Sequence, residues 1–243
     1  MEHQTDLFSL KGKNAVITGG GGILGSEIAR ALGKAGAKIS ICDIKNYKET
    51  AETLQKEGIE ADGWFLNVMD KNLIKDTAEK IFETGTIHIL VNAAGGNVKE
   101  ATTSETLSFF DLPLEALEKV IALNLFGGAI LPSQVFGKEM AKNPQGGSII
   151  NVSSMNAFKP LTKIPGYSAA KAAVSNFTQW LAVHLAQEYN TKLRVNAIAP
   201  GFFLTQQNRY LLLDDKNKLT ERGKLIISHT PMERFGEPSD LAG

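Results

Sequence analysis

The chain has 243 residues, with 26 Lys plus Arg balanced by 26 Asp plus Glu, a length that suits one α/β domain with a full core. That neutral balance gives no broad field for nucleic acid or an acidic membrane surface, so any charged substrate must be met by local residues. A single cysteine, Cys42, excludes an internal disulfide; no run reaches the roughly 18 apolar residues of a membrane span, no signal-peptide stretch opens the chain, and the cytoplasm is the expected compartment.

The first predicted strand, Asn14 to Thr18, runs at once into Gly19-Gly20-Gly21-Gly22-Ile23-Leu24-Gly25 and a helix from about Ser26 to Ala35. Glycines between a buried strand and a helix let the backbone approach a pyrophosphate, which the free N–H groups and dipole of the helix N-terminus stabilise. Gly19, Gly22, Ile23, Leu24 and Gly25 are therefore candidate dinucleotide contacts. The second strand, Lys38 to Cys42, ends in Asp43. An acid there can accept hydrogen bonds from the adenosine ribose hydroxyls and repels a 2′-phosphate, so NAD is expected over NADP. Lys45 softens that preference, and the alternative is that Asp43 merely caps the next helix.

A polar helix from about Lys48 to Glu57 precedes a third strand near Gly63 to Leu66, which leads to Asn67-Val68. The Asn67 carbonyl can accept a hydrogen bond from an adenine amino group. A fourth strand, Ile87 to Val91, runs into Asn92-Ala93-Ala94-Gly95, small residues that a dinucleotide can lie against. From Gly96 to Pro113 comes a polar loop longer than the usual connection, the first candidate for shaping a substrate site. A helix from about Leu114 carries Asn124.

The stretch from Gly147 to Phe177 is the richest in chemistry. Its strand, Ser148 to Ser153, ends beside Ser154 at the carboxyl edge where open α/β sheets bind ligands. After a loop with Pro160 and Pro165, Tyr167 to Leu185 is a predicted helix, apolar at Ala170, Val174, Phe177 and Leu181. Tyr167 and Lys171 are then one turn apart on one face. A fixed ammonium favours the phenolate, which makes the pair a general acid/base. A Tyr and a Lys at this spacing also occur on solvated faces, so the pair is weak evidence alone. A sixth strand, Leu193 to Ala199, ends in Pro200-Gly201 and then Thr205. The segment Gln206 to Arg234 is the expected lid. Its Arg209, Arg222 and Arg234, with Gln207 and Asn208, either recognise a carboxylate or are solvated surface.

Strand, Ser154, loop, then Tyr167 and Lys171 on a helix is an arrangement that resembles the short-chain dehydrogenase/reductase family. The matching motifs run in order from Thr18 to Thr205. Most single-domain members carry T-G-x-x-x-G-x-G, whereas here Ile23 stands where the second glycine is expected and the residues fit T-G-x-x-G-x-x-G. The same cofactor pose with a slightly different turn is expected. The resemblance implies a Rossmann-type doubly wound parallel sheet flanked by helices, one domain over residues 1–243. It also implies NAD across the carboxyl edge: Asn67 and Val68 at the adenine, Asn92, Ala94 and Gly95 along the cofactor, and Pro200, Gly201 and Thr205 at the nicotinamide carboxamide. Tyr167 is then the proton donor, Lys171 its partner at the nicotinamide ribose, Ser154 the group holding the carbonyl oxygen, and Asn124 the holder of a water that links Lys171 to solvent. No metal is implied, and the family habit is a homotetramer.

The segments TGGGGILGS and PGFFLTQQNRYLLL, with the long loop, resemble the subgroup that acts on sugar acids, D-mannonate oxidoreductase (fructuronate reductase) above all. Asn97, Asn156 and Arg209 are its candidate substrate contacts. The alternatives are a reductase of another keto-aldonate or keto-uronate, such as 5-ketogluconate or the keto-deoxy uronate from alginate breakdown, and more remotely a sugar-nucleotide epimerase or a non-catalytic NAD-sensing module. Family members continue past the position of Gly243 into a seventh strand, so the resemblance leaves two expectations open, a truncated chain of lower stability and impaired assembly, or an end set by loss of order.

Overall fold

Strands β1 (Asn14–Thr18), β2 (Lys38–Asp43), β3 (Ala61–Phe65), β4 (Ile89–Asn92), β5 (Gly147–Val152) and β6 (Leu193–Ile198) pair in parallel in the order β3-β2-β1-β4-β5-β6. Most are runs of branched side chains, which fit a pleated surface covered on both faces. The computed structural model describes residues 7–159, 163–205 and 209–242. Pro160, Gln206, Gln207 and Asn208 therefore lie outside the described residues. The chain lays β2 on one side of β1 and later returns to lay β4 on the other. At that reversal the connections diverge and leave a crevice beyond the strand carboxyl ends.

Alternation along each strand sorts its side chains between two layers. In β1, Ala15 and Ile17 pack with Ile28 and Ala29 of α1 (Ile23–Lys34) and Ala51 and Leu54 of α2 (Tyr47–Lys56). Val16 faces the other way, toward α3 (Lys71–Glu83), α5 (Leu131–Met140) and α6 (Pro165–Glu188). Each fully buried Ile, Leu or Val contributes about 1.5–3 kcal/mol of apolar transfer energy.

The predicted strands are all present, with bounds shifted by a few residues. The helix α3 was not expected, although its signals are in the sequence. Asp70 caps it by accepting from the N–H groups of Asn72 (3.0 Å) and Leu73 (3.1 Å), and Ile74, Ala78 and Ile81 form its buried stripe.

The exclusion of a membrane span on length was too strong. Leu114–Met140 is a continuous 27-residue helix whose most apolar window has a mean hydropathy of 1.5. Half of that window is buried inside the protein, with α4 (Leu114–Ile121) against α6 and α5 against α3, the burial pattern of a core helix. Between α4 and α5, residues Ala122–Ile130 are wound as a π-helix. Asn124 lies in this wider segment, and its side-chain Nδ2 donates to Val120 O, four residues back, at 2.8 Å. An amide side chain bonded to an i−4 carbonyl competes with the backbone ladder, which accounts for the local rewinding.

After β6, the described residues fold as α7 (Arg209–Leu212) and α8 (Glu221–Ser228), joined by an antiparallel bridge between Leu213 and Leu219. Thr220 holds the two helices together: its hydroxyl donates to Leu211 O (2.7 Å) and accepts from Gly223 N (3.0 Å). Among the described residues the sheet ends at β6.

Candidate active site

A cleft of about 630 Å³ runs along the carboxyl ends of the strands, from the glycine turn after β1 to the segment after β6. At the first end, Gly19 takes φ +67° and a Cβ there would stand 2.6 Å from Ala94 N. A Cβ on Gly25 would lie 2.2 Å from Gly19 O. The first turn of α1 is thus packed onto the glycine turn, and the turn onto the backbone after β4. α1 starts at Ile23, three residues ahead of the expected start, because Gly22 serves as its N-cap. It has no side-chain cap and no acidic residue in its first turn, so its positive end is left for an anion. Ile23, in place of a glycine, lines the cleft as an apolar wall. These features fit a dinucleotide pyrophosphate. Gly25→Ala is expected to destabilise the fold by about 1–3 kcal/mol through overpacking and to weaken NADH binding at least tenfold. Thermal melts and a fluorescence titration check both effects, and parental values in each would show that the close approach is not needed.

Asp43 lines the same end and does not cap α2, whose N-cap is Asn46. Its carboxylate accepts from Gly21 N at 3.0 Å and from Lys45 N at 3.1 Å. It therefore ties the glycine turn to β2 while keeping its negative charge at the cleft. Asn67 and Val68 also line the cleft. The Asn67 Oδ1 already accepts from Met69 N at 3.0 Å, leaving one lone pair for any further donor.

The centre of the cleft is built by β5 and α6, which are fastened at successive turns. Asn151 Nδ2 donates to Thr178 Oγ1 at 2.9 Å. Ser153 Oγ donates to Lys171 O at 3.0 Å and lies 2.7 Å from Ser175 Oγ. One step further along, the Ser154 hydroxyl stands near enough to the Tyr167 phenol to act on its pKa. Lys171 is 4% exposed, its Nζ donating to Val152 O at 2.7 Å and lying 5.6 Å from the Tyr167 ring centroid. Ser154, Tyr167 and Lys171 thus converge as the sequence suggested.

The electrostatics carry one difference from expectation. Burial pushes the Tyr167 phenol up from its ordinary value, and the Ser154 hydroxyl only partly offsets this. Burial also pushes the Lys171 ammonium down, to about 8. The phenol is accordingly protonated at neutral pH, and the lysine does not reverse the cost of desolvation.

Asn124 faces the same centre from the π-helix. Its Nδ2 donates to Gly96 O (2.6 Å) and its Oδ1 accepts from Gly96 N (3.1 Å). A Cβ on Gly95 would stand 2.6 Å from that Oδ1 and 3.4 Å from Lys171 Nζ. Only a glycine fits between the asparagine and the lysine.

Leu24, Ala94, Gly95, Asn97, Asn156, Gly201 and Thr205 also line the cleft. Four expected site residues do not: Asn124, fully buried behind Gly95 and Gly96, and three more. The Asn92 side chain is fully buried beneath the sheet end, its Nδ2 donating to Asn151 Oδ1 (2.8 Å) and Ser133 Oγ (3.0 Å). It fixes β4 to β5 instead of facing a cofactor, because the strand runs one residue further than expected and the alternation turns this side chain inward. Pro200 stays outside the lining, its carbonyl accepting from Met155 N at 3.0 Å. Arg209 is turned away, its guanidinium donating to Asn217 Oδ1 at 2.7 Å. Arg222 lines the cleft instead, together with Lys99 and Lys163. Lys163 carried no motif and was missed; its place just ahead of the helix with Tyr167 is the signal that could have found it.

A profile of the short chain dehydrogenase family matches residues 13–216. An uncharacterised oxidoreductase, UxuB, of Bacillus subtilis is 45% identical over 248 residues, spanning 97% of this chain and 87% of the relative. The 2-dehydro-3-deoxy-D-gluconate 5-dehydrogenase of the same organism is 34% identical, spanning 100% and 89%. Among solved structures, a provisionally assigned D-mannonate oxidoreductase from Haemophilus influenzae with bound NAD is similar at a TM-score of 0.88 and 42% identity, covering 99% of this chain and 89% of that one. A gluconate 5-dehydrogenase from Burkholderia cenocepacia J2315, in complex with NADP and tartrate, is similar at a TM-score of 0.86 and 28% identity, covering 99% and 89%. One holds NAD and the other NADP, so the choice between them falls to the residues of this chain.

Proposed function

The chain belongs to the short-chain dehydrogenase family, an oxidoreductase of alcohol and ketone groups on sugar acids, and from that premise we propose that it interconverts D-fructuronate and D-mannonate with NADH and NAD. The observation that carries the chemistry is the buried cluster of Ser154, Tyr167 and Lys171 at the cleft centre. A bound nicotinamide supplies the hydride in one direction and accepts it in the other. The protein's own groups do the rest. Ser154 donates a hydrogen bond to the substrate carbonyl oxygen and holds it beside the phenol. Tyr167 gives that oxygen its proton as the carbonyl carbon gains the hydride, so the product is the alcohol. Lys171 would hold the nicotinamide ribose and return a proton from solvent to the phenolate through a water held at the remaining lone pair of Asn124 Oδ1. The segment of α7 and α8 acts as a lid, and the working assembly is a homotetramer.

The measurement that tests the substrate is NADH oxidation at 340 nm against keto-uronates, keto-aldonates and simple ketones. D-fructuronate is expected to give the highest kcat/KM, and a simple ketone turned over faster than every keto acid would defeat the proposal. The second reading, reduction of 5-ketogluconate, draws on the 34% identical 5-keto-D-gluconate 5-reductase of Escherichia coli, and the same panel separates the two.

NAD is favoured by the position of Asp43. Asp43→Asn removes the charge but keeps an acceptor for the Gly21 N–H. It is expected to raise the NADPH to NADH ratio of kcat/KM by about tenfold, since one charge repulsion near an exposed site is worth roughly 1.4 kcal/mol. An unchanged ratio would place cofactor choice elsewhere.

A further inference from the structure

Charge in the cleft is distributed unevenly. Asp43, at the glycine-turn end, is the one acid among the described lining residues, whereas Lys99, Lys163 and Arg222 line the other end beyond Tyr167. The chain as a whole balances its charges at 26 each, so this excess is local. None of these three side chains pairs with another described residue. Three other cations of the segment after β6 are engaged, Arg209 with Asn217, Lys224 with Glu221 and Arg234 with Asp240, whereas Lys216 and Lys218 do not line the cleft.

Two amides that line the cleft carry unpartnered oxygens. Asn156 is 5% exposed and lines the cleft, yet its Oδ1 has no hydrogen-bond partner. Asn97 Oδ1 is likewise buried and unpartnered, while its Nδ2 donates to Thr102 Oγ1 at 2.8 Å and Val98 O at 3.1 Å. A buried carbonyl oxygen left unpaired is costly, and a ligand hydroxyl pointing at each would relieve it. The complement of this end is therefore an anion attached to a chain of hydroxyls.

We infer that Lys163 and Arg222 form a clamp for the substrate carboxylate, with Asn156 and Asn97 accepting hydrogen bonds from its hydroxyl groups. This rests on the sugar-acid reading above and assigns the residues that select the acid. The two cations come from separate segments of the chain. Lys163 lies four residues before Tyr167, and its carbonyl accepts from Thr103 N at 2.9 Å, which ties the Gly96 to Pro113 loop to the start of α6. Arg222 lies in the first turn of α8, held against α7 by Thr220. The carboxylate is thus gripped by the same support that carries the phenol on one side and by the expected lid on the other. Lys99, exposed on the loop, steers the anion toward the clamp.

The test is binding by isothermal titration with NADH present, using D-mannonate and D-gluconate against the neutral D-gluconamide and D-mannitol. The parent protein is expected to bind at least one acid tenfold or more tightly than either neutral compound. Lys163→Met and Arg222→Met should each weaken the acid about tenfold or more and leave the neutral compounds unchanged, since a charge-assisted hydrogen bond is lost in each case. The double variant should bind acid and amide alike and lose the salt dependence of the parent. Asn156→Ala should weaken acid and neutral ligands together. A parent that binds the amide as well as the acids, or binds no acid, overturns the clamp, as does a double variant that keeps the preference. The two proposals fail separately. Selective acid binding by a protein that oxidises no NADH on any keto acid would defeat the reaction and leave the clamp. Turnover of a keto acid with an unchanged KM in the double variant would do the reverse.

Discussion

Replacing Tyr167 by phenylalanine is expected to lower turnover of the keto acid by about 10²–10⁴-fold, the usual worth of a positioned general acid, while NADH affinity stays within about twofold. The reason is local. The variant keeps the ring and removes one hydroxyl, which stands near Ser154 and not at the glycine turn. Stability should change by only about 1 kcal/mol. The parent supplies a second signature. Because burial holds the phenol above its ordinary value, it is protonated at neutral pH and ready for reduction, whereas oxidation of the alcohol needs the phenolate. The oxidation rate should climb as pH rises above neutral, and the residual rate of the phenylalanine variant should not. Stopped-flow measurement of hydride transfer in both directions reads all of this, and a variant with parental rates would remove Tyr167 from the chemistry.

Lys171→Met is expected to separate activity from stability. Turnover should fall by about 10²-fold or more, while the fold becomes more stable relative to the parent near neutral pH. In the unfolded chain the amine keeps its proton up to its ordinary value of 10.5, and in the fold burial brings this down to about 8. Between those values the unfolded chain holds more protons, so the parent gains stability as pH rises through that window, and below about 8 the full cost of the buried ammonium is present. Methionine has no such dependence. The advantage of the variant should therefore shrink by roughly 2 kcal/mol between pH 7 and pH 9.5, as read from chemical denaturation. An advantage that is constant or grows over that range would show that the ammonium is not destabilising where it lies. On the expected outcome, the protein retains at its centre a charge that weakens the fold for the sake of the reaction.

Much of this was legible in the sequence because it depends on local chemistry. Strand-glycine-helix, the acid ending β2 and the one-turn spacing of Tyr167 and Lys171 follow from periodicity plus residue type, while the part of Ser154 beside them is what the family resemblance implies. What was not legible depends on neighbours distant in the chain. Asn92 reads as a cofactor contact until β5 and α5 place Asn151 and Ser133 beside its amide. Arg209 and Arg222 are equivalent as letters, and only the pairing of Arg209 with Asn217 separates them. The direction of the Tyr167 shift needed the amount of protein packed around the ring, which no spacing reports. The π-helix at Asn124 was hidden for a related reason: the asparagine looks like any polar residue in a helix until Gly96 arrives to bond both ends of its amide.

The fastening of β5 to α6 also bears on how such an enzyme diversifies. Serine, tyrosine and lysine all come from one contiguous strand and helix, closed by its own hydroxyls and amides, whereas the residues assigned here to the carboxylate and hydroxyl groups come mostly from connecting segments around it. New selectivity can then arise by exchanging those segments, and insertions there should be tolerated without retuning the proton-transfer machinery.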